Sequence, residues 1–364
     1  MKGLTGGKYL QFGHQARGAG LRVNSIQQPA ISNQQPVPLP LYPVPCNLHP
    51  VPDILSTFAI LMMKPKSTYL PWLILTGLVL TWGSSFILIK QGLESFSYDS
   101  NIVGSLRIVI TFLVLLPTAL RRIRRVSTRQ WKILFIIGVI SNGAPAFLFA
   151  YAQTGIDSNM AGILNSLTPL FTLLIGFAFF HLKPRWFNIA GIIAGLAGAV
   201  GLIHYSGDSG FIFNFNYAVF VLVATVCYAT SVNIIKTHLA DLDAVSITAF
   251  SFFIIGLPVF IYLFTYTDFL QHMQESSTAW EGLGYISILA ILGTAIALVF
   301  FNQLIKMTNA LFASSVTYLI PVIAIAWGIV DGEQLEWSYL AWIFLILGGV
   351  YLVNIKQLKI KKNR

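Results

Sequence analysis

The apolar segments of this chain contain uncharged polar side chains that could bind a solute by hydrogen bonds. An amide or hydroxyl inside hydrocarbon is costly unless it finds a partner, so these groups must face protein or a watery cavity. Non-covalent binding is the activity that such residue types support. The candidate binding residues are Trp82, Ser85, Asn142, Asn165, Thr168, Tyr228, Asn233, Asn302, Gln303, Thr317 and Tyr318.

A purely structural role is the alternative for each of these residues. Hydroxyls bond back to their own helix, and amides link neighbouring helices for about 0.6 to 2 kcal/mol each. For a single serine or threonine the structural role is favoured. For Asn165, Asn302 and Gln303 both roles stay open, because an amide has more hydrogen-bonding capacity to satisfy and can bind a zwitterion or a sugar.

Arg107 is the only charged residue well inside an apolar segment. A charge at such a place costs about 3 kcal/mol on insertion scales, so the residue needs a partner. It could attract an anionic group such as a substrate carboxylate. Alternatively, it extends towards the membrane surface or pairs with Asp99, two helical turns earlier.

Motifs for catalysis and metal binding are missing from the sequence. The chain has no Gly-x-x-x-x-Gly-Lys-Ser/Thr phosphate loop, no His-Glu-x-x-His zinc pair and no Gly-x-Ser-x-Gly elbow. Its two cysteines, Cys46 and Cys227, provide no thiolate metal site. We therefore expect no cofactor, no metal and no enzymatic activity.

Ten apolar segments must position these residues. Each is roughly 20 residues long, which at about 1.5 Å per residue crosses the roughly 30 Å hydrocarbon core of a bilayer. With 55% hydrophobic and only 10% charged residues, a soluble fold is disfavoured. The sequence predicts an all-α membrane protein with ten transmembrane helices at 70–90, 101–120, 131–153, 158–180, 186–205, 215–236, 245–267, 280–306, 310–330 and 338–354.

Lysines and arginines lie almost entirely on one side of the predicted helices. The even-numbered connections and both ends carry them, whereas the opposite side has essentially only Lys90. Because positive loops stay inside, we expect both termini in the cytoplasm and a multi-pass protein of the cell (inner) membrane, with the lipid bilayer as a partner. The basic residues behind the net charge of +10 lie in short connections between apolar segments, where they set the orientation in the membrane. Nucleic acid is therefore not expected as a partner.

Residues 1–61 are predicted to be a disordered extension, because half of the 16 prolines fall there. The basic stretch Met62-Met63-Lys64-Pro65-Lys66 is typical of a cytoplasmic amino terminus before a spanning helix. We therefore expect translation of the native protein to start at Met62 or Met63. The intact mass of untagged native protein tests this, and a mass that includes residues 1–61 would contradict it.

The two halves of the chain match each other at three helix pairs. Five is an odd number of helices, so the second half must enter the membrane from the opposite face. This predicts two inverted repeats, 62–214 and 215–364. Pro145, Pro169 and Pro321 are expected to kink their helices, for gating or for packing. The matched positions include Trp82 with Tyr228, Ser85 with Ser231, Lys90 with Lys236, and Pro169 with Pro321.

Four stretches give the chain a family resemblance, and they are Leu80-Thr81-Trp82-Gly83-Ser84-Ser85-Phe86, Arg107, Leu164-Asn165-Ser166-Leu167-Thr168-Pro169, and Tyr318-Leu319-Ile320-Pro321 followed by Gly332-Glu333 and Gly348-Gly349. Over residues 66–355 the chain resembles the drug/metabolite transporter superfamily, specifically its EamA-type ten-helix permeases. The resemblance implies a central cavity between the repeats, lined by helices 1, 3, 4, 6, 8 and 9. His181 stands where the first half often has a Gly-Glu pair, so a symmetric role for Glu333 is not expected.

The function implied by this resemblance is secondary transport. We expect an inner-membrane exporter of small metabolites, with amino acids or related compounds as the first candidates, working by alternating access. A passive channel or a membrane-embedded enzyme or scaffold is the alternative. A small-molecule substrate and a homodimer are the further expected partners.

Overall fold

The computed structural model describes residues 69–123, 126–182, 185–205, 214–308, 310–332 and 337–354. The predicted amino-terminal extension, Glu333 and the basic tail lie outside these residues. All regular elements that it describes are helices, and a short one, Phe269–Glu275, connects the seventh long helix to the eighth. The long helices are α1 Leu70–Ser95, α2 Ser100–Arg122, α3 Thr128–Ala152, α4 Ser158–Phe179, α5 Trp186–Tyr205, α6 Phe215–His238, α7 Ala244–Tyr266, α8 Ala279–Met307, α9 Phe312–Val330 and α10 Trp337–Asn354.

Eight of these helices are long and apolar enough to cross a membrane, namely α1 to α4 and α6 to α9. In α5 and α10 the apolar stretches are shorter, Trp186–Gly198 and Leu340–Gly349. Large apolar side chains such as Phe177, Ile261 and Phe344 are exposed on the outer surface, as lipid contact requires. The predicted all-α membrane fold is confirmed, although α1 continues beyond its predicted end to Ser95.

The helices α4 and α9 are interrupted near their middle. In α4 a turn separates Ser158–Asn165 from Thr168–Phe179, and in α9 the 3₁₀ turn Ser315–Tyr318 precedes Ile320–Val330. Pro169 and Pro321 take one of the first two positions of the new segments, where a missing N–H is tolerated because it has no helical partner. The prolines that were predicted to kink these helices therefore stand where each helix is interrupted, and their role in gating or packing stays a prediction.

The helices α3 and α8 each contain one π-helical turn, Gly138–Gly143 and Ile291–Ile296. Such a turn widens the helix and disturbs its regular hydrogen bonding, and it often marks a functional site. Pro145 follows the first turn at the start of Ala144–Ala152. The sequence reading did not single out Pro117 and Pro258, which lie inside α2 and α7 without ending them.

The carboxyl ends of α4 and α9 are formed in a similar way. Each helix is followed by a residue in the left-handed region, His181 with φ 56° and Gly332 with φ 87°. Glycine adopts this conformation without steric cost, whereas a histidine does not. His181 therefore takes the helix-ending position that a glycine takes after α9.

Small residues of α5 pack against α10 within one chain. A Cβ atom on Gly349 would lie 2.5 Å from the backbone nitrogen of Gly195 and 2.6 Å from the carbonyl oxygen of Gly191. The two backbones are therefore in contact, as small-residue stripes in membranes permit. Gly191 and Gly195 are four residues apart and therefore lie on the same face of α5.

We expect Gly349→Ala to destabilise the protein by about 1–3 kcal/mol, because the new methyl group would overlap backbone atoms of α5. Gly348→Ala is the matched control, since a Cβ at Gly348 meets nothing within 4 Å. Unfolding of both purified variants in detergent measures the difference. Equal stability of the two variants would contradict the close approach of α5 and α10.

Candidate functional site

A cavity lies inside the helix bundle. Residues of α1, α2, α3, α4, α6, α7, α8 and α9 line it. Eight of the predicted binding residues are brought together there, and they are Trp82, Ser85, Arg107, Asn142, Asn165, Thr168, Tyr228 and Thr317.

The irregular parts of four helices position the polar lining. The π-helical turns of α3 and α8 contribute Asn142 and Thr294, and the interruptions of α4 and α9 contribute Asn165 and Thr317. All four side chains are buried. The cavity therefore lies where the regular backbone hydrogen bonding is disturbed.

Side-chain donors satisfy the backbone carbonyls at these irregular places. This matters because an unpaired carbonyl inside a membrane protein costs several kcal/mol. The donor hydroxyls and the indole of Trp82 lie 2.6 to 3.0 Å from their acceptors. The pairs are Trp82 with Gly293, Ser166 with Ile163, Thr168 with Asn165, Thr294 with Leu289 and Thr317 with Ser314.

Arg107 lies in α2 and extends into the cavity. Its Nε donates to the hydroxyl of Thr294 at 3.0 Å, and the guanidinium also interacts with the hydroxyl of Tyr228. Asp99, the alternative partner predicted from sequence, accepts instead from the backbone N–H groups of Asn101 and Ile102 at the start of α2. Within the described residues, Arg107 has neutral partners and no carboxylate.

A second hydrogen bond joins α3 to α7, the helices that correspond to α8 and α2 in the opposite halves of the chain. Asn142 Nδ2 in α3 donates to Ser251 Oγ in α7 at 2.9 Å. Along the chain, Asn142 and Thr294 are separated by as many positions as Asn165 and Thr317. The α2–α8 contact and the α3–α7 contact thus involve matched helices of the two halves.

Aromatic side chains form two further matched contacts on the cavity wall. Trp82 packs against Phe301 with ring centroids 4.9 Å apart, and Tyr228 stacks on Phe149 at 5.9 Å. Phe86 packs edge-on against the same Phe149. The sequence reading missed Phe149 and Phe301, although their separation equals that of Asn142 and Thr294 and could have revealed them.

Four predicted binding residues are absent from the cavity lining. Asn233 donates to the carbonyl oxygens of Thr172 and Ala229, and Asn302 donates to the hydroxyl of Thr248, so both amides link helices. Gln303 is half-buried on α8. The hydroxyl of Tyr318 is buried without a partner among the described residues. A structural role for Asn233 and Asn302, the alternative weighed from sequence, fits these contacts.

Charged residues tie the helices together at both ends of the bundle. Lys90 Nζ lies 2.5 Å from Asp331, to which Gln91 also donates. At the opposite end, Lys236 at the end of α6 donates to the carbonyl oxygens of Ile305 and Thr308 at the end of α8. Lys306 of α8 donates in return to the carbonyl of Ala240 after α6.

Among the described residues, no group of three histidine, cysteine or acidic side chains could hold a metal ion. The cavity instead combines hydrogen-bond donors, aromatic faces and one guanidinium inside a bundle of membrane-length helices. These features define a multi-pass membrane protein with an internal cavity.

A model of the EamA-like transporter family matches residues 70–203 and again residues 216–355. The chain therefore belongs to the EamA-like transporter family. The resemblance to the drug/metabolite transporter superfamily that the sequence predicted is confirmed.

Curated relatives agree with this assignment. The chain is 28% identical to the uncharacterized transporter YvbV of Bacillus subtilis, over 78% of this chain and 92% of that protein. It is 25% identical to the uncharacterized inner membrane transporter YedA of Escherichia coli K12, over 77% and 89%. It is 24% identical to a probable amino-acid metabolite efflux pump of Salmonella typhimurium, over 82% and 98%. These relatives and the apolar helices support a multi-pass inner-membrane protein.

One solved crystal structure shares the fold. It aligns with a TM-score of 0.56 over 81% of this chain and 99% of that chain, at 18% identity. Likeness at this identity supports the helical fold and nothing more specific.

The different contacts of two asparagines lead to opposite expectations. Asn302→Ala should lower the stability by about 1–2 kcal/mol, because it removes the link from α8 to α7, and should leave solute affinity unchanged. Asn165→Ala should change stability little and weaken solute binding. Unfolding in detergent and the concentration dependence of solute exchange measure the two effects. Weakened solute binding in the Asn302 variant with normal stability would contradict the assignment.

Proposed function

We propose that this protein is a secondary transporter that exports small metabolites across the inner membrane by alternating access. Amino acids or related compounds are the first candidates, and a relative whose name is a probable amino-acid metabolite efflux pump supports this choice. The observation that carries the proposal is the cavity between the two halves, lined by matched positions of both.

The proposal includes ten transmembrane helices arranged as two inverted repeats, 62–214 and 215–364. The separate matches of the family model to the two halves support it. So do the π-helical turns in α3 and α8 and the interruptions in α4 and α9. The paired contacts of Trp82 with Phe301 and of Tyr228 with Phe149 add to this support, because an inverted repeat generates each inter-helix contact twice.

The two ends of the bundle are the proposed gates. With both termini in the cytoplasm, Lys90 and Asp331 lie at the outer end, and Lys236 and Lys306 lie at the inner end. In alternating access, the contacts at one end must break while those at the other end hold. Side chains that join different helices at both ends are suited to this exchange.

A passive channel and a membrane-embedded enzyme or scaffold are the competing functions. A channel would conduct without solute-for-solute exchange, and an enzyme would convert a substrate rather than move it. Counterflow separates them, because saturable exchange requires a carrier.

The test of this function is counterflow in proteoliposomes preloaded with a panel of amino acids, N-acylated amino acids, other organic acids, nucleosides and sugars. We expect saturable exchange of at least one solute by the full chain. Gly293→Leu should lower this exchange at least tenfold, because Gly293 lines the cavity at the π-helical turn of α8 and a Cβ there would lie only 2.9 Å from Ser85 Oγ on the cavity wall. Gly284→Leu is the matched control on the same helix, where a Cβ meets nothing within 4 Å.

Protein-free liposomes give the background of this experiment, and size-exclusion profiles show that both variants are folded. Exchange that is equal in the two glycine variants would exclude the cavity as the pathway. Absence of exchange for every solute, in correctly folded preparations, would favour an enzyme or a scaffold.

A further inference from the structure

The cavity lining carries a positive charge without a negative one. Among the described side chains that line the cavity, Arg107 is charged, and no aspartate or glutamate accompanies it. Among the described residues, Thr294 accepts from Nε and Tyr228 is the other hydrogen-bond partner of the guanidinium, so its terminal nitrogens keep unused donor capacity. A cation that is partly buried in a cavity attracts an anion more strongly than an exposed one, since a lower dielectric strengthens the attraction.

The neutral polar groups of the cavity do not compensate an added positive charge. The carbonyls at the irregular helix positions, which can bind cations in other transporters, already accept from hydroxyls or from Trp82. The amide nitrogen of Asn165 has no partner among the described residues and is a donor. The amide oxygen of Asn142 and the hydroxyl oxygens are acceptors without a formal charge. An ammonium group would therefore share the cavity with Arg107 and meet no counter-charge.

The walls of the cavity are mainly apolar and include several aromatic rings. Trp82, Phe86, Phe149, Tyr228 and Phe301 line it, and their rings are held by contacts with one another. Such walls favour a flat or apolar body over a heavily hydroxylated one, because burying sugar hydroxyls would require many more partners.

We propose that the transported solute is an organic monoanion with an aromatic or other apolar body and without an ammonium group, and that Arg107 binds its carboxylate. The proposal rests on the transport function above and narrows its substrate class. Among compounds related to amino acids, it selects those that lack the amino group or carry it in a neutral, acylated form. It disfavours zwitterionic amino acids, amines and sugars.

The test compares four ligands that share one phenyl ring and differ in charge. They are 3-phenylpropionate, its neutral amide 3-phenylpropionamide, the zwitterion phenylalanine and the cation 2-phenylethylamine. Binding to the full chain in lipid nanodiscs is measured by calorimetry at neutral pH. We expect 3-phenylpropionate to bind at least about tenfold more tightly than the amide and phenylalanine, and the amine to bind most weakly.

Variants of Arg107 test the assigned residue. In Arg107→Gln the anion should lose its preference and bind about as the amide does, whereas Arg107→Lys should keep part of the preference because the charge remains. Arg129→Gln is the matched control, since Arg129 is an exposed arginine outside the cavity and its loss should leave all four affinities unchanged. The ligand series on the unaltered chain decides the charge preference even where a variant fails to fold.

Three results would overturn the proposal. They are binding of phenylalanine as tight as that of 3-phenylpropionate, an anion preference that persists in Arg107→Gln, and failure of all four ligands to bind. Counterflow with the same ligands separates this proposal from the transport function. If the anion binds but no solute exchanges, the transport function fails and the anion site stands. If phenylalanine exchanges and the anion does not, transport stands and the anion site fails.

Discussion

The need to pair every backbone carbonyl inside the membrane governs this structure. A cavity in a helix bundle requires helices that bend, widen or stop, and each such departure disturbs the hydrogen bonds between carbonyls and the following turn. Here the carbonyls of Gly293, Asn165 and Ser314 accept from an indole or a hydroxyl instead. The same side chains line the cavity or lie beside it, so the groups that permit the irregular backbone also form the surface that a solute meets.

The cavity lining combines matched aromatic contacts with unmatched polar groups. The contacts of Trp82 with Phe301 and of Tyr228 with Phe149 lie at matched positions, and each joins one half of the chain to the other. Arg107 and Ser251, by contrast, follow the helix-capping residues Asp99 and Asp243 at the same distance along α2 and α7. One position has a cation and the other a hydroxyl. A carrier built on matched halves could thus reorganise around its solute from either side while a single residue sets the preferred charge.

The fold was largely predictable from the sequence, and the site was predictable only in part. Membrane-length apolar segments determine helices without reference to tertiary contacts, because a helix satisfies all its backbone groups within one segment, whereas a strand in lipid needs partner strands. Asn142 and Asn165 were found because an amide in an apolar segment is conspicuous. The same signal also selected Asn233 and Asn302, which point to neighbouring helices, since composition does not give the direction of a side chain. Phe149 was missed because a phenylalanine in an apolar helix carries no signal of its own.

The contacts at the two ends of the bundle bear on how easily the proposed carrier could change state. The pair of Lys90 and Asp331 is partly exposed, and such pairs contribute about 0–1 kcal/mol. Lys236 and Lys306 donate to carbonyls at the carboxyl ends of α8 and α6, where a cation typically contributes about 0.3–1 kcal/mol. These particular contacts between described residues are therefore individually weak. Alternating access requires this balance, because two states exchange readily only when their free energies differ by a few kcal/mol.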